Sequence, residues 1–121
     1  MSRRRVLFVD DDSLIVEFMA EVLAEMGCAV TTAESGREAV DIFAQDPGAF
    51  DLVLTDLMML EMTGDKLSER LHVVRPDIPV VVMTGTPEGL SRERIRSAGI
   101  RKVLAKPLTR AELREALKEV L

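Results

Sequence analysis

The chain contains no tryptophan and no tyrosine, a single cysteine, a single histidine and four phenylalanines in 121 residues. One thiol, Cys28, excludes an internal disulfide and suits a reducing compartment. Beside Ala29 and Val30 it reads as a small buried hydrophobe. No apolar run approaches the roughly 18 residues that a membrane-spanning helix needs, so no membrane partner is expected and a cytoplasmic location is. Positive charge is also scarce, with 16 Lys and Arg against 21 Asp and Glu, for a net charge of −5 and a pI near 4.9. Duplex affinity rests on clustered Lys and Arg that neutralise phosphates, so direct nucleic-acid binding is not expected. The basic triplet Arg3 to Arg5 reads as a solvated leader.

What is present suits one folded unit. Hydrophobic residues make up 47% and charged residues 31%, far from the polar composition of disordered chains. The length is ordinary for one domain, so residues 1–121 are read as a single domain, with no linker, repeat or low-complexity tract.

Apolar, β-rich runs recur at Val6–Val9, Cys28–Thr32, Leu52–Thr55, Val80–Met83 and Val103–Ala105. Continuous rather than alternating hydrophobicity marks strands covered on both faces, as in a parallel sheet. Helical patterns lie between them. Leu14, Ile15, Phe18, Met19, Val22, Leu23 and Met26 fall at spacings of three and four, which predicts one packed face. Capping boxes open two later helices, at Ser35-x-x-Glu38 and Thr109-x-x-Glu112. Gly27 and Gly99 stop helices, and further helices are predicted from Thr63 to Val74, ahead of Pro76, and from Glu88 to Ala98, after Pro87. Five strands alternating with five helices predict an α/β fold, a doubly wound parallel sheet of order 2-1-3-4-5 with helices on both faces.

In such sheets the site lies beyond the carboxyl ends of the strands. Those ends present Asp10-Asp11-Asp12, Asp56, Thr84 and Lys106. Carboxylates gathered at one rim repel each other and call for a cation, and oxygen-only ligands point to magnesium or manganese. An oxygen of Asp56 can then attack phosphorus, with the Lys106 ammonium and the Thr84 hydroxyl placed for the phosphoryl oxygens. A carboxylate needs no base at neutral pH, and no histidine stands at a strand end. Each residue also has a bland role: Asp and Thr are ordinary turn and cap residues, and Asp12 or Ser13 is the N-cap of the first helix. Lys106 at the end of an apolar strand, followed by Pro107, is more telling, because its ammonium must find polar acceptors at that rim. His72, beside Val73 and Val74 in a helix, reads as a packing or surface residue.

Together, Val9-Asp10-Asp11-Asp12, Asp56-Leu57-Met58-Met59, Met83-Thr84-Gly85 and Ala105-Lys106-Pro107 resemble the response-regulator receiver signature in order and spacing, over essentially the whole chain. The resemblance implies the flavodoxin-like form of the predicted fold and a phosphoacceptor signalling domain of a two-component phosphorelay rather than an enzyme proper. It implies that Asp10 and Asp11 bind Mg2+ (or Mn2+), that Asp56 both binds it and is phosphorylated, and that the Met58 backbone carbonyl completes the shell. Thr84 and Lys106 bind the phosphoryl group, and the Lys106–Pro107 bond is typically cis. The implied partners are a histidine kinase or histidine phosphotransfer protein, which would meet the first helix, and an output domain or target at the fourth and fifth elements. A phosphorylation-dependent dimer is also allowed.

Two departures stand out. Leu60 replaces the family's usual proline, which implies a freer loop after Asp56. Val103 replaces the usual aromatic, so phosphorylation is expected to be reported through Thr84 and loop movement, or at another surface. Met58 and Thr86 flank the site, and Met58 presents no acid or base to position water, so a moderately long-lived phosphoaspartate is expected. Rival readings are an aspartyl-phosphate hydrolase of the haloacid dehalogenase type, which needs an acid where Met58 stands, and a non-phosphorylated scaffold. A stand-alone regulator, an excised receiver and a hybrid-kinase receiver all remain open as contexts, the run Gly99–Leu108 resembling the last.

Overall fold

Side chains alternate across a strand, so a continuous apolar run feeds two cores at once. In the computed structural model, which describes residues 3–121, the first strand does this. Val6 and Phe8 face one core, Leu7 and Val9 the other. The elements run β1 (Arg4–Val9), α1 (Ser13–Glu25), β2 (Cys28–Ala33), α2 (Gly36–Gln45), β3 (Leu52–Asp56), α3 (Gly64–Val74), β4 (Val80–Thr84), α4 (Arg92–Ser97), β5 (Lys102–Ala105) and α5 (Arg110–Val120). All strand pairs are parallel, in the order β2-β1-β3-β4-β5. This is the predicted flavodoxin-like topology.

On one face α1 and α5 bring Val16, Val22, Leu23, Leu113 and Ala116 onto Val6, Phe8, Leu52, Leu54, Val81 and Met83. On the other, Ala39 and Phe43 of α2, Leu67 and Leu71 of α3, and Ile95 of α4 cover Leu7, Val9, Val53, Val80 and Val82. Phe43 also stacks on Phe50 with ring centroids 6.0 Å apart, worth about 0.5–1.5 kcal/mol beyond the area buried. Gly27 and Gly99 follow α1 and α4 with φ of 91° and 75°, as helix stops require.

Four local expectations are corrected. Leu14, Ile15 and Phe18 are not on the packed face of α1 but are 74%, 38% and 57% exposed. Apolar residues cover more of this helix than one sheet face can take, and the packed stripe is Val16, Met19, Val22, Leu23 and Met26. The helix expected from Glu88 to Ala98 is interrupted: a 3-10 turn spans Pro87–Gly89, Leu90 is extended, and α4 begins only after Ser91, whose hydroxyl accepts the Arg94 N–H. Thr109 and Glu112 form a full capping box, but Ser35 forms half of one. There the Glu38 carboxylate reaches past a fully extended Ser35 to the Glu34 N–H at 3.3 Å. The basic triplet Arg3 to Arg5 is exposed, as expected, but it is not a leader: Arg4 and Arg5 open β1, and Arg5 pairs with Asp51 at 3.0 Å.

Candidate functional site

The three aspartates after β1 have three different tasks. Asp12 caps α1, its Oδ1 accepting the N–H groups of Leu14 and Ile15 at 3.0 and 3.4 Å. Asp10 is 2% exposed, and its Oδ1 accepts the Asp12 N–H at 3.0 Å. Asp11 is exposed and turns toward the loop after β3, where its Oδ2 accepts the Leu60 N–H at 3.0 Å.

Asp56 ends β3 and is 8% exposed. Its backbone and that of Leu57 are held from several sides. The Thr55 hydroxyl donates to the Asp56 carbonyl oxygen at 2.9 Å, the Leu57 N–H donates to Met83 O at 2.9 Å, and the Gly64 N–H at the start of α3 donates to Leu57 O at 2.8 Å. Asp10, Asp11 and Asp56 each present a carboxylate oxygen within 4.8 Å of the others. The second oxygen of Asp10, Oδ2, is buried with no hydrogen-bond partner. Burial pushes the Asp10 carboxyl above its ordinary range; the Asp12 amide works against this, and the neighbouring charges of Asp56 and Asp11 add to it. An orphaned buried oxygen among clustered carboxylates fits a hard divalent cation, which takes oxygen ligands. Met58, 66% exposed, has a backbone carbonyl that no donor engages among the described residues.

The positive group comes from β5. Lys106 Nζ lies 2.7 Å from Asp56 Oδ1, and the Lys106–Pro107 peptide is cis. The Lys106 N–H donates to Thr84 O at 2.9 Å, so the ends of β4 and β5 are locked in step. Thr84 is 2% exposed; its hydroxyl oxygen accepts the Thr86 N–H at 3.1 Å and lies 3.4 Å from the Thr86 hydroxyl, a contact in which either hydroxyl can be the donor. The fold thus brings Asp10, Asp11, Asp56, Thr84 and Lys106 to one rim.

Two other singled-out residues lie elsewhere. Cys28 is buried at the start of β2, where burial pushes its thiol up. His72 packs within α3, Nδ1 2.7 Å from Ser68 O and Nε2 2.8 Å from Ile78 O. The sequence did not disclose the bond between Leu60 and Asp11, because its donor is a backbone group, nor the role of Thr86 as partner of Thr84.

A family model for the response regulator receiver domain matches residues 6–118. The chain belongs to that family. As a receiver it is a phosphoacceptor signalling domain. It is 35% identical to the transcription factor SKN7 of Chaetomium thermophilum over 97% of this chain and 15% of that protein. It is 30% identical to the response regulator receiver protein CpdR of Brucella abortus over 97% of this chain and 93% of that one. Among solved structures, the response regulator protein TrrA of Thermotoga maritima, in complex with Mg2+-BeF, superposes with a TM-score of 0.85 at 30% identity over 98% of this chain and 99% of that one. The receiver spans half or less of the length of most curated relatives it matches, among them transcriptional regulators and sensor histidine kinases. No helix among the described residues is long and apolar enough to cross a membrane.

Proposed function

We propose that Asp56 accepts a phosphoryl group from a phosphohistidine of a histidine kinase or histidine phosphotransfer protein. In this reading Asp10, Asp11, Asp56 and the Met58 carbonyl hold Mg2+ or Mn2+. The observation that carries it is the placement of Lys106 Nζ 2.7 Å from Asp56 Oδ1, beside three carboxylates within 4.8 Å of one another. A bound divalent cation offsets the repulsion between an anionic attacker and an anionic phosphoryl group. An Asp56 oxygen forms the new O–P bond as the P–N bond breaks, and the electron pair leaves with the imidazole nitrogen. Lys106 and Thr84 meet the charge that spreads over the phosphoryl oxygens.

The kinase side fits the exposed apolar surface of α1. Leu14 and Phe18 are 74% and 57% exposed, and Ile15 and Phe18 share a groove with Pro107 and Leu108 beside Lys106. Exposed apolar patches of this kind mark protein contacts. Without an aromatic at position 103, Thr84, Thr86 and the loop after Asp56 carry the change to the output partner. Met58 leaves attacking water without an acid or base, so the phosphoaspartate persists well beyond seconds.

The test is phosphorylation by acetyl phosphate with Mg2+, followed by borohydride reduction and peptide mass mapping. Reduction at position 56 alone supports the reading. Label at another residue, or none in the folded protein with several phosphodonors, overturns it.

A further inference from the structure

Asp11 differs from Asp10 and Asp56 in being exposed, so packing does not restrict its carboxylate. One bond does. The Leu60 backbone N–H donates to Asp11 Oδ2 at 3.0 Å across 49 positions of sequence. This charge-assisted contact is stronger than a neutral one. No protein donor engages the other oxygen, Oδ1, among the described residues.

The loop is bent in a way that presents this amide. Glu61 has a φ of 67°, a left-handed conformation that side-chain-bearing residues rarely adopt, and the Met62 N–H closes back onto Leu60 O at 2.7 Å. The Leu60 side chain is 79% exposed, so it does not fix the turn by burial. Strain of this kind persists only where neighbouring contacts over-determine the conformation. The Asp11 carboxylate is such a contact, and it is also one of the cluster that fits a cation.

We infer that the Leu60 backbone amide is a positioning group for the divalent cation. It holds Oδ2 of Asp11 and keeps the carboxylate beside Asp10 and Asp56, so less side-chain freedom is lost when the ion binds. The loop that follows the phosphoacceptor is thereby tied to a metal ligand, and cation binding and loop order become one event. The function lies in the N–H and not in the leucine side chain; any proline at this position would lack the donor. The inference rests on the proposed metal-binding role of Asp11.

The experiment measures Mg2+ affinity by isothermal titration calorimetry on four folded proteins. These are the wild type, Leu60→Ala, Leu60→Pro, and a semisynthetic protein in which an ester replaces the amide that carries the Leu60 N–H. The ester removes the donor without imposing the backbone restrictions of proline. Wild type and Leu60→Ala should bind within about twofold of each other, and the proline and ester proteins about tenfold more weakly, the lower end for lost outer-shell partners. In the wild type, Mg2+ should also slow solvent exchange of the Leu60 amide proton, a change that a purely structural turn would not show. An ester protein that binds as the wild type does overturns the inference alone. So does a loss in Leu60→Ala equal to that in Leu60→Pro, because it would assign the effect to the side chain. A wild type that binds no Mg2+ overturns both the inference and the metal reading beneath it.

Discussion

A β-carbon on Gly64 would stand 2.5 Å from the carbonyl oxygen of Asp56. The start of α3 therefore rests directly on the backbone of the phosphoacceptor, and a side chain there displaces one or the other. Gly64→Ala should cost about 1–3 kcal/mol, the usual range for overpacking. It should also slow phosphorylation of Asp56 more than the stability loss explains. Urea unfolding and the rate of acetyl phosphate labelling, taken on the same protein, check this.

The carboxylate cluster predicts a gain in stability on neutralisation. Because burial raises the Asp10 carboxyl, the folded chain binds more protons than the unfolded chain between the ordinary value of 3.8 and the raised one. Metal-free stability must then fall as pH rises through that window, and the full penalty stands above it. In EDTA at pH 7, where the raised carboxyl must ionise in its buried site, Asp10→Asn should be more stable than wild type. Mg2+ should raise the melting temperature of the wild type and leave that of the variant nearly unchanged. Thermal melts at pH 4 and pH 7, with and without Mg2+, give all four terms.

Arg94 fastens the short α4 to α3, with Nε 2.7 Å from Asp65 Oδ2 and a terminal nitrogen 2.9 Å from Glu69 Oε1. Burial alone would raise the Asp65 carboxyl, but Thr63 and Arg94 outweigh it and hold it below its usual range. The contribution is therefore present above about pH 4 and is lost as pH falls through the lowered value. Arg94→Ala should cost about 1 kcal/mol at pH 7, discounted for partial exposure, and less at pH 3. Amide exchange along residues 92–98 should quicken.

The fold was legible because the strand runs are apolar throughout, and that pattern allows little besides a parallel sheet covered on both sides. The candidate site was legible for a related reason: the topology makes every strand end a neighbour of the others, so Asp10, Asp11, Asp56, Thr84 and Lys106 could be gathered by counting from the runs. Periodicity failed on α1, where Leu14, Ile15 and Phe18 belong to an exposed stripe that differs from the buried one only by rotation. It failed again before α4, where the Ser91 cap outweighs the helical character of the preceding turn. The tie between Leu60 and Asp11 left no trace in residue types, because any residue except proline supplies the same N–H. Leu60 was read as loosening its loop, whereas its amide anchors that loop to Asp11.

The central claim is tested most directly by intact-mass measurement after incubation with acetyl phosphate, with and without Mg2+, on wild type and Asp56→Asn. The account predicts a single phosphoryl adduct on the wild type that requires Mg2+ and is absent from the folded variant. An adduct that persists in Asp56→Asn, or that forms equally well in EDTA, would contradict it.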